Sequence, residues 1–284
     1  MQLYPMSDFE IVGAEDFFAT IYRRGAYVGQ IVKNGKKILK ETEDGVDIKG
    51  GIPILVPYGD LVRDAKYTFH GTEYHLPKNA HVVGNYRDSI HGLTRSQEWN
   101  VKKRNDNSIS LFTEINDPGY PSILGVEITY TIIEGSFDAS ISVVNTGEMP
   151  APLVIGAHPY FITSGPWKLH HQERIQMLNY PDGVFPDGKL MDYSFNDIDN
   201  PEKLNLDSSF VGGGALKLES KYSTIILERI NMTYFEVYNG TFAGKDSVAL
   251  EPLTGAIDAF NNGMGLKELA SGEKFKCGFR ITVY

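Results

Sequence analysis

The sequence predicts an all-β fold, and three observations carry that expectation. Short apolar or alternating runs rich in β-branched and aromatic residues recur along the 284-residue chain. Turn-forming residues separate them, with 29 glycines and 14 prolines available for the purpose. Helical periodicity longer than about two turns is confined to GMGLKELA, residues 263–270, which runs into a Ser-Gly stop. Parallel sheets need crossover helices that this chain does not supply, so a sandwich or barrel is expected.

Taken in order, FFATIYRRGAYVGQIV (17–32) reads as strand, and KNGKK (33–37) closes it with an Asn-Gly pair suited to the left-handed dihedrals of a tight hairpin turn. YTFHGTEYHL (67–76) is a second hairpin with its tip at His-Gly, and SISLFTEI (108–115) alternates as a single strand. GVEITYTIIEGSFDASISVV (125–144) gives two strands around a glycine turn. STIILERINMTYFEVY (223–238) and KFKCGFRITVY (274–284) complete the set. The polar stretch 179–214 could pass for a linker, but its interleaved Tyr, Phe and Leu predict a packed excursion, and long ordered loops often line sites. No repeat of propeller or solenoid period is present, and one domain spanning 1–284 is expected.

Composition limits the function classes. With 42% hydrophobic and 22% charged residues, the chain is that of an ordinary soluble globular protein. A formal charge of −9 works against nucleic acid and anionic lipid, both of which select Lys and Arg. Small neutral or polar ligands remain open, and the sequence is silent on oligomeric state. The start MQLYPMSDFE lacks a basic, apolar leader, and no run of about 18 apolar residues offers a membrane span. Cys277 is the sole cysteine, so no internal disulfide or thiolate cluster can form, and a cytoplasmic location is expected.

Three places could carry chemistry. His158 in AHPYF precedes Pro159, which has no N–H, so the histidine is expected near a strand end or bulge. His91 in IHGLTR precedes a glycine that permits close backbone approach, with Arg95 four residues on. Glu251 in ALEPL follows an apolar run, where desolvation would raise its pKa toward general-base work. Each also has a purely structural reading: a hydrogen-bonded core histidine, a surface turn, an ion pair. The three could also ligate a metal.

Together, HG, HPYF and LEP…DAFN, in that order on an all-β chain, resemble the aldose 1-epimerase (galactose mutarotase-like) family. GGIPILVPYGDLVRDAKYTFHGTEYHLP resembles the family's entry segment and NLDSSFVG its Asp-x-x-Phe element, so the likeness covers residues from about 50 to 262. It implies a β-supersandwich and an isomerase needing no cofactor or metal. It further implies Glu251 as general base, His158 as general acid, and His91, Arg63 and Asp207 as groups that bind and orient a sugar. HGL stands where galactose-type members have HGG, the aspartate element lacks its histidine, and about ten extra residues lie between Pro77 and His91. A hexose-6-phosphate mutarotase is the nearest alternative, with Arg95 reading the phosphate, because relatives of that kind carry HGFAR. A non-catalytic carbohydrate-binding domain is the other, and it has no use for a matched acid and base. Tyr58, Tyr160, Phe161, Trp99 and Tyr238 are candidates to stack on a pyranose.

Overall fold

The computed structural model describes residues 9–42, 47–133, 135–193, 197–199 and 207–284, and it is all β. Two sheets dominate. A nine-stranded sheet runs in spatial order from Asn100–Asn105 through Ser108–Ile115, Leu124–Ile133, Ser136–Asn145, Lys274–Val283, Thr224–Ile230, Leu216–Ser220 and Trp167–His171 to Asp197–Asp199. An eight-stranded sheet orders Leu190–Asp192, Gln176–Leu178, Asp207–Val211, Tyr234–Tyr238, Ser247–Leu253, Gly156–Ala157 and Ile54–Leu55, with Tyr160–Ile162 also pairing Ser247–Leu253. A four-stranded sheet covers Phe9–Lys37.

The core lies between the large sheets because alternate residues of their central strands are apolar. Ile128, Ile141 and Phe279 of the nine-stranded sheet share one cluster with Phe235, Val237, Val248 and Leu250 of the eight-stranded sheet. That alternation leaves Glu236, Tyr238, Ala249 and Glu251 on the opposite face. Ser247–Leu253 is nevertheless buried at every position, since loops cover its second face.

The turn chemistry read from the sequence is present. Asn34 and Gly35 both take positive φ, 50° and 75°, as do His70 and Gly71 at 48° and 79°. Helix is the exception. Residues 263–270 form a turn and the strand Lys267–Leu269, which pairs with Ala151–Leu153. Gly263 and Gly265, at φ 75° and 72°, break any helix there, and the α-helical turn Ala259–Asn262 ends on Gly263 instead. The excursion after residue 179 is packed where it is described: Phe185 is buried, and Asp207–Val211 joins the sheet. Its residues 194–196 and 200–206 lie outside the described residues. In VGGGALK the carbonyls of Gly212, Gly213 and Gly214 accept hydrogen bonds from the Arg229 guanidinium, a polarity opposite to that of a phosphate cradle. Among the described residues no helix is long and apolar enough to cross a membrane.

Candidate active site

Strand register brings the site together. Gly156 pairs Leu253 and Tyr160 pairs Ala249, so the same register carried through the break at Pro159 sets His158 opposite Glu251. Glu251 pairs Glu236, and Glu236 pairs Ser209. One row across the sheet therefore reads His158, Glu251, Glu236, Ser209. Two residues along, on the same face, a second row reads Tyr160, Ala249, Tyr238, Asp207.

His91 arrives from a separate turn. Its backbone is left-handed, φ 59°, an uncommon state for a non-glycine residue, and its N–H donates to the Asp60 carbonyl at 2.9 Å. Gly92 follows at φ 73°, and a Cβ there would lie 2.3 Å from the Val56 carbonyl oxygen. The His-Gly pair is thus dictated by a backbone that wraps Val56, whose carbonyl accepts from Leu93 N–H at 2.7 Å.

These groups surround a cavity of about 240 Å³ lined by Asp60, His91, His158, Tyr160, Asp207, Glu236, Tyr238 and Glu251, with Ile48, Leu61, Val83, Ile90 and Phe242 as the apolar part of its wall. His158 Nε2 is 3.0 Å from Glu251 Oε1. His91, His158, Glu236 and Glu251 are all at most 5% exposed. Glu251 Oε2 and the Nδ1 atoms of His91 and His158 are buried without a hydrogen-bond partner, an expensive condition in a finished core. Tyr160 stacks on His158 with ring centroids 4.5 Å apart and fixes its hydroxyl on the Ile48 carbonyl at 3.1 Å; Tyr238 meets Tyr160 edge-on at 6.3 Å.

Burial raises the Glu251 pKa, the charge and hydrogen bond of His158 pull it back, and Asp207 adds to the rise. Burial, followed by the His158 and Arg95 charges, holds His91 well below the ordinary imidazole range, so it is neutral near pH 7. Asp60 and Glu236 are both driven well above the carboxylate range by desolvation and by the neighbouring carboxylates. Glu236 accepts from Ser209 Oγ at 3.2 Å and lies within hydrogen-bonding reach of Asp207.

Of the residues expected from sequence, His91, His158, Asp207 and Glu251 line the cavity, and Arg63 and Arg95 are not among the described lining residues. Arg63 points elsewhere: its guanidinium lies 3.0 Å from Asp182 and 3.8 Å from Asp258, over the Phe185 ring. These contacts join it to the 179–193 excursion through Asp182 and Phe185. Arg95 stands near enough to His91 and Tyr58 for its charge to act on both. Of the stacking candidates, Tyr160 and Tyr238 reach the cavity. Tyr58, Phe161 and Trp99 are core residues, Tyr58 bonded to Ser89 Oγ at 2.6 Å and Trp99 Nε1 to the Thr94 carbonyl at 3.4 Å. Asp60 and Glu236 were missed. The available signal was Glu236 itself, a lone carboxylate on the otherwise apolar, aromatic run YFEVY. Among the described residues, no group of three or more His, Cys, Asp or Glu side chains is arranged to hold a metal ion.

A family model described as aldose 1-epimerase matches residues 9–282. The chain belongs to the aldose 1-epimerase family. Its fold is that of a galactose mutarotase-like protein from Lactobacillus casei, with a TM-score of 0.84 at 17% identity, covering 98% of this chain and all of that one. Galactose 1-epimerase from Lactobacillus acidophilus aligns at a TM-score of 0.77 and 16% identity over 100% and 97% of the two chains. The uncharacterized protein YihR of Escherichia coli is 23% identical over 95% of this chain and 91% of its own. These identities speak for the shared fold.

Proposed function

We propose that this aldose 1-epimerase family member interconverts the α and β anomers of an aldohexose by acid–base opening and reclosure of the ring. The observation that carries the reading is the His158–Glu251 pair, 3.0 Å apart and facing a sugar-sized cavity with Glu251 Oε2 unsatisfied. A sugar inserting between them replaces one protein hydrogen bond with two, from its O1 hydroxyl to Glu251 and from His158 to its ring oxygen. Glu251 removes the O1 proton while His158 protonates O5, and the C1–O5 bond breaks to leave a carbonyl at C1. Rotation about C1–C2 and the reverse transfers close the other anomer, returning both protons. Neutral His91 and Asp207 hold hydroxyls, and Tyr160 and Tyr238 offer apolar ring faces.

A free rather than phosphorylated sugar is favoured because the described lining carries four carboxylates and no lysine or arginine. A dianion there would meet like charge. The test is NMR exchange spectroscopy of anomer interconversion over a panel of aldoses and their 6-phosphates. Catalysed exchange of the free sugars supports the reading; binding without exchange makes the chain a carbohydrate-binding domain, and exchange confined to the phosphates assigns the alternative.

A further inference from the structure

Glu251 and His158 account for the chemistry, yet the cavity holds three further carboxylates, from Asp60, Glu236 and Asp207. Glu236 is 3% exposed, borders Glu251 on the adjacent strand and accepts a hydrogen bond from Ser209 Oγ. Acid groups crowded against one another are unfavourable as anions without counter-charge, and the described lining supplies no lysine or arginine, only His158, which is already paired with Glu251. The cavity also presents a ligand-directed group: Glu251 Oε2, 2% exposed and without a partner. At about 240 Å³ it lies below the roughly 300–1,000 Å³ of sites for drug-sized ligands and fits one sugar ring.

We propose that the preferred substrate is a 2-amino-2-deoxyaldose whose ammonium group is held by Glu236, with Asp60 and Asp207 completing its anionic surround. The inference rests on the mutarotase reading for its orientation. If Glu251 faces O1, the substituent next to it on the ring is that of C2, and the side chain next to Glu251 in the sheet is Glu236. His158, across from Glu251, faces O5, and so the C6 end lies away from Glu236. An ammonium at C2 gives Glu236 and its neighbouring carboxylates a counter-charge, since His158 is paired with Glu251, and donates up to three hydrogen bonds. An N-acetyl group removes that charge and adds bulk, while a 6-phosphate or a uronate adds a like charge.

The test compares kcat/KM for anomer exchange of glucosamine and galactosamine with glucose, galactose, their N-acetylated amines and glucuronate, at a pH where the amine is protonated. The amino sugars are expected to exceed their neutral parents by about ten- to a hundred-fold, the range of one charge-assisted hydrogen bond. N-Acetyl sugars and the uronate should fall below the neutral parents. In Glu236→Gln the amino-to-neutral ratio should drop at least about tenfold. Asp60→Asn serves the same purpose if the first variant folds poorly. Amino sugars no better than their parents, or a ratio unchanged in both variants, overturn the proposal. Calorimetric binding of glucosamine and glucose to Glu251→Gln separates the two readings. Tighter glucosamine binding with no aldose turned over by the wild-type protein retains the cation site and removes the mutarotase; brisk exchange of neutral sugars with no amine preference does the reverse.

Discussion

Among the described residues Glu251 Oε2 has no partner, and Oε1 is bonded to His158. A carboxylate buried so deeply is a poor structural anchor and a good base, because removing it from water raises its affinity for the proton it must accept. Glu251→Gln keeps the shape and loses the base, so anomer exchange should fall at least about 10²-fold while sugar binding persists. Exchange spectroscopy and calorimetry on one sample check both halves. His158→Asn tests the partner: an amide can hydrogen-bond O5 but cannot protonate it, so a folded variant that turns over normally would return His158 to the core. The pH profile follows from the same groups. Because Glu251 titrates above the ordinary carboxylate range and must be ionised to work, the acid limb of kcat/KM should also lie above that range. Asp207 contributes to that rise, so Asp207→Asn should move the acid limb to lower pH, and an unmoved limb would remove Asp207 from the electrostatics of the base. Glu251, His158, His91 and Asp207 were legible in the sequence because each sits in a short motif. Asp60 was not, since a single acidic residue in a loop gives no local sign of the cavity it will face, and Glu236 showed only as a lone carboxylate on an apolar, aromatic run.

At the scale of elements, the decisive features are a register and a turn. The interrupted strand that carries His158 keeps one register on both sides of Pro159, and only that register sets His158 across from Glu251. Sequence reading found the interruption, through the proline, but not the partner strand, because pairing is a property of the sheet. Arg63 shows the same limit. The resemblance implied Arg63 as a sugar-binding group; in the structure, with Asp60 and Asp64 left-handed at φ 46° and 54°, its guanidinium lies against Asp182 and Asp258. The His91 turn can be tested directly. Gly92→Ala would place a methyl 2.3 Å from the Val56 oxygen and 2.6 Å from its nitrogen, on a backbone held by the Leu93 hydrogen bond. The expected cost is about 1–3 kcal/mol with loss of turnover as His91 shifts. Gly71→Ala is the control. Gly71 has a similar φ of 79°, but no atom lies within 4 Å of its added methyl, so it should lose less stability and no activity. Equal losses in the two variants would mean that backbone strain alone, and not the approach to Val56, explains the glycine.

For the whole molecule, the all-β architecture was legible because hydrophobic alternation repeats over many strands and averages out local error. The one helical expectation failed where two glycines outweighed an apolar period, at Gly263 and Gly265. What composition could not show is where the excess acid sits. Two of the acids, Asp60 and Glu236, face the cavity, where burial and their neighbours favour the protonated form. Asp60 and Glu236 have folded-state pKa values well above those of the unfolded chain. From the unfolded carboxylate range upward, the folded state therefore holds protons that the unfolded chain has released. Stability contributed by these two groups is complete below that range and is lost as pH rises through their raised values. Surface acids work in the opposite sense: Asp64, hydrogen-bonded by Arg87, and Asp182, hydrogen-bonded by the Phe185 and Val184 amides, lie below the ordinary range and lose their contribution in acid. The pH dependence of the wild type mixes both, but the difference between wild type and Glu236→Gln cancels the surface terms. The variant should gain denaturation midpoint relative to wild type at pH 8 and match it near pH 4, because glutamine accepts the Ser209 hydrogen bond without ever carrying charge. A difference that is flat with pH, or that grows toward acid, would show that Glu236 is ionised in the folded protein and that the cavity already neutralises it.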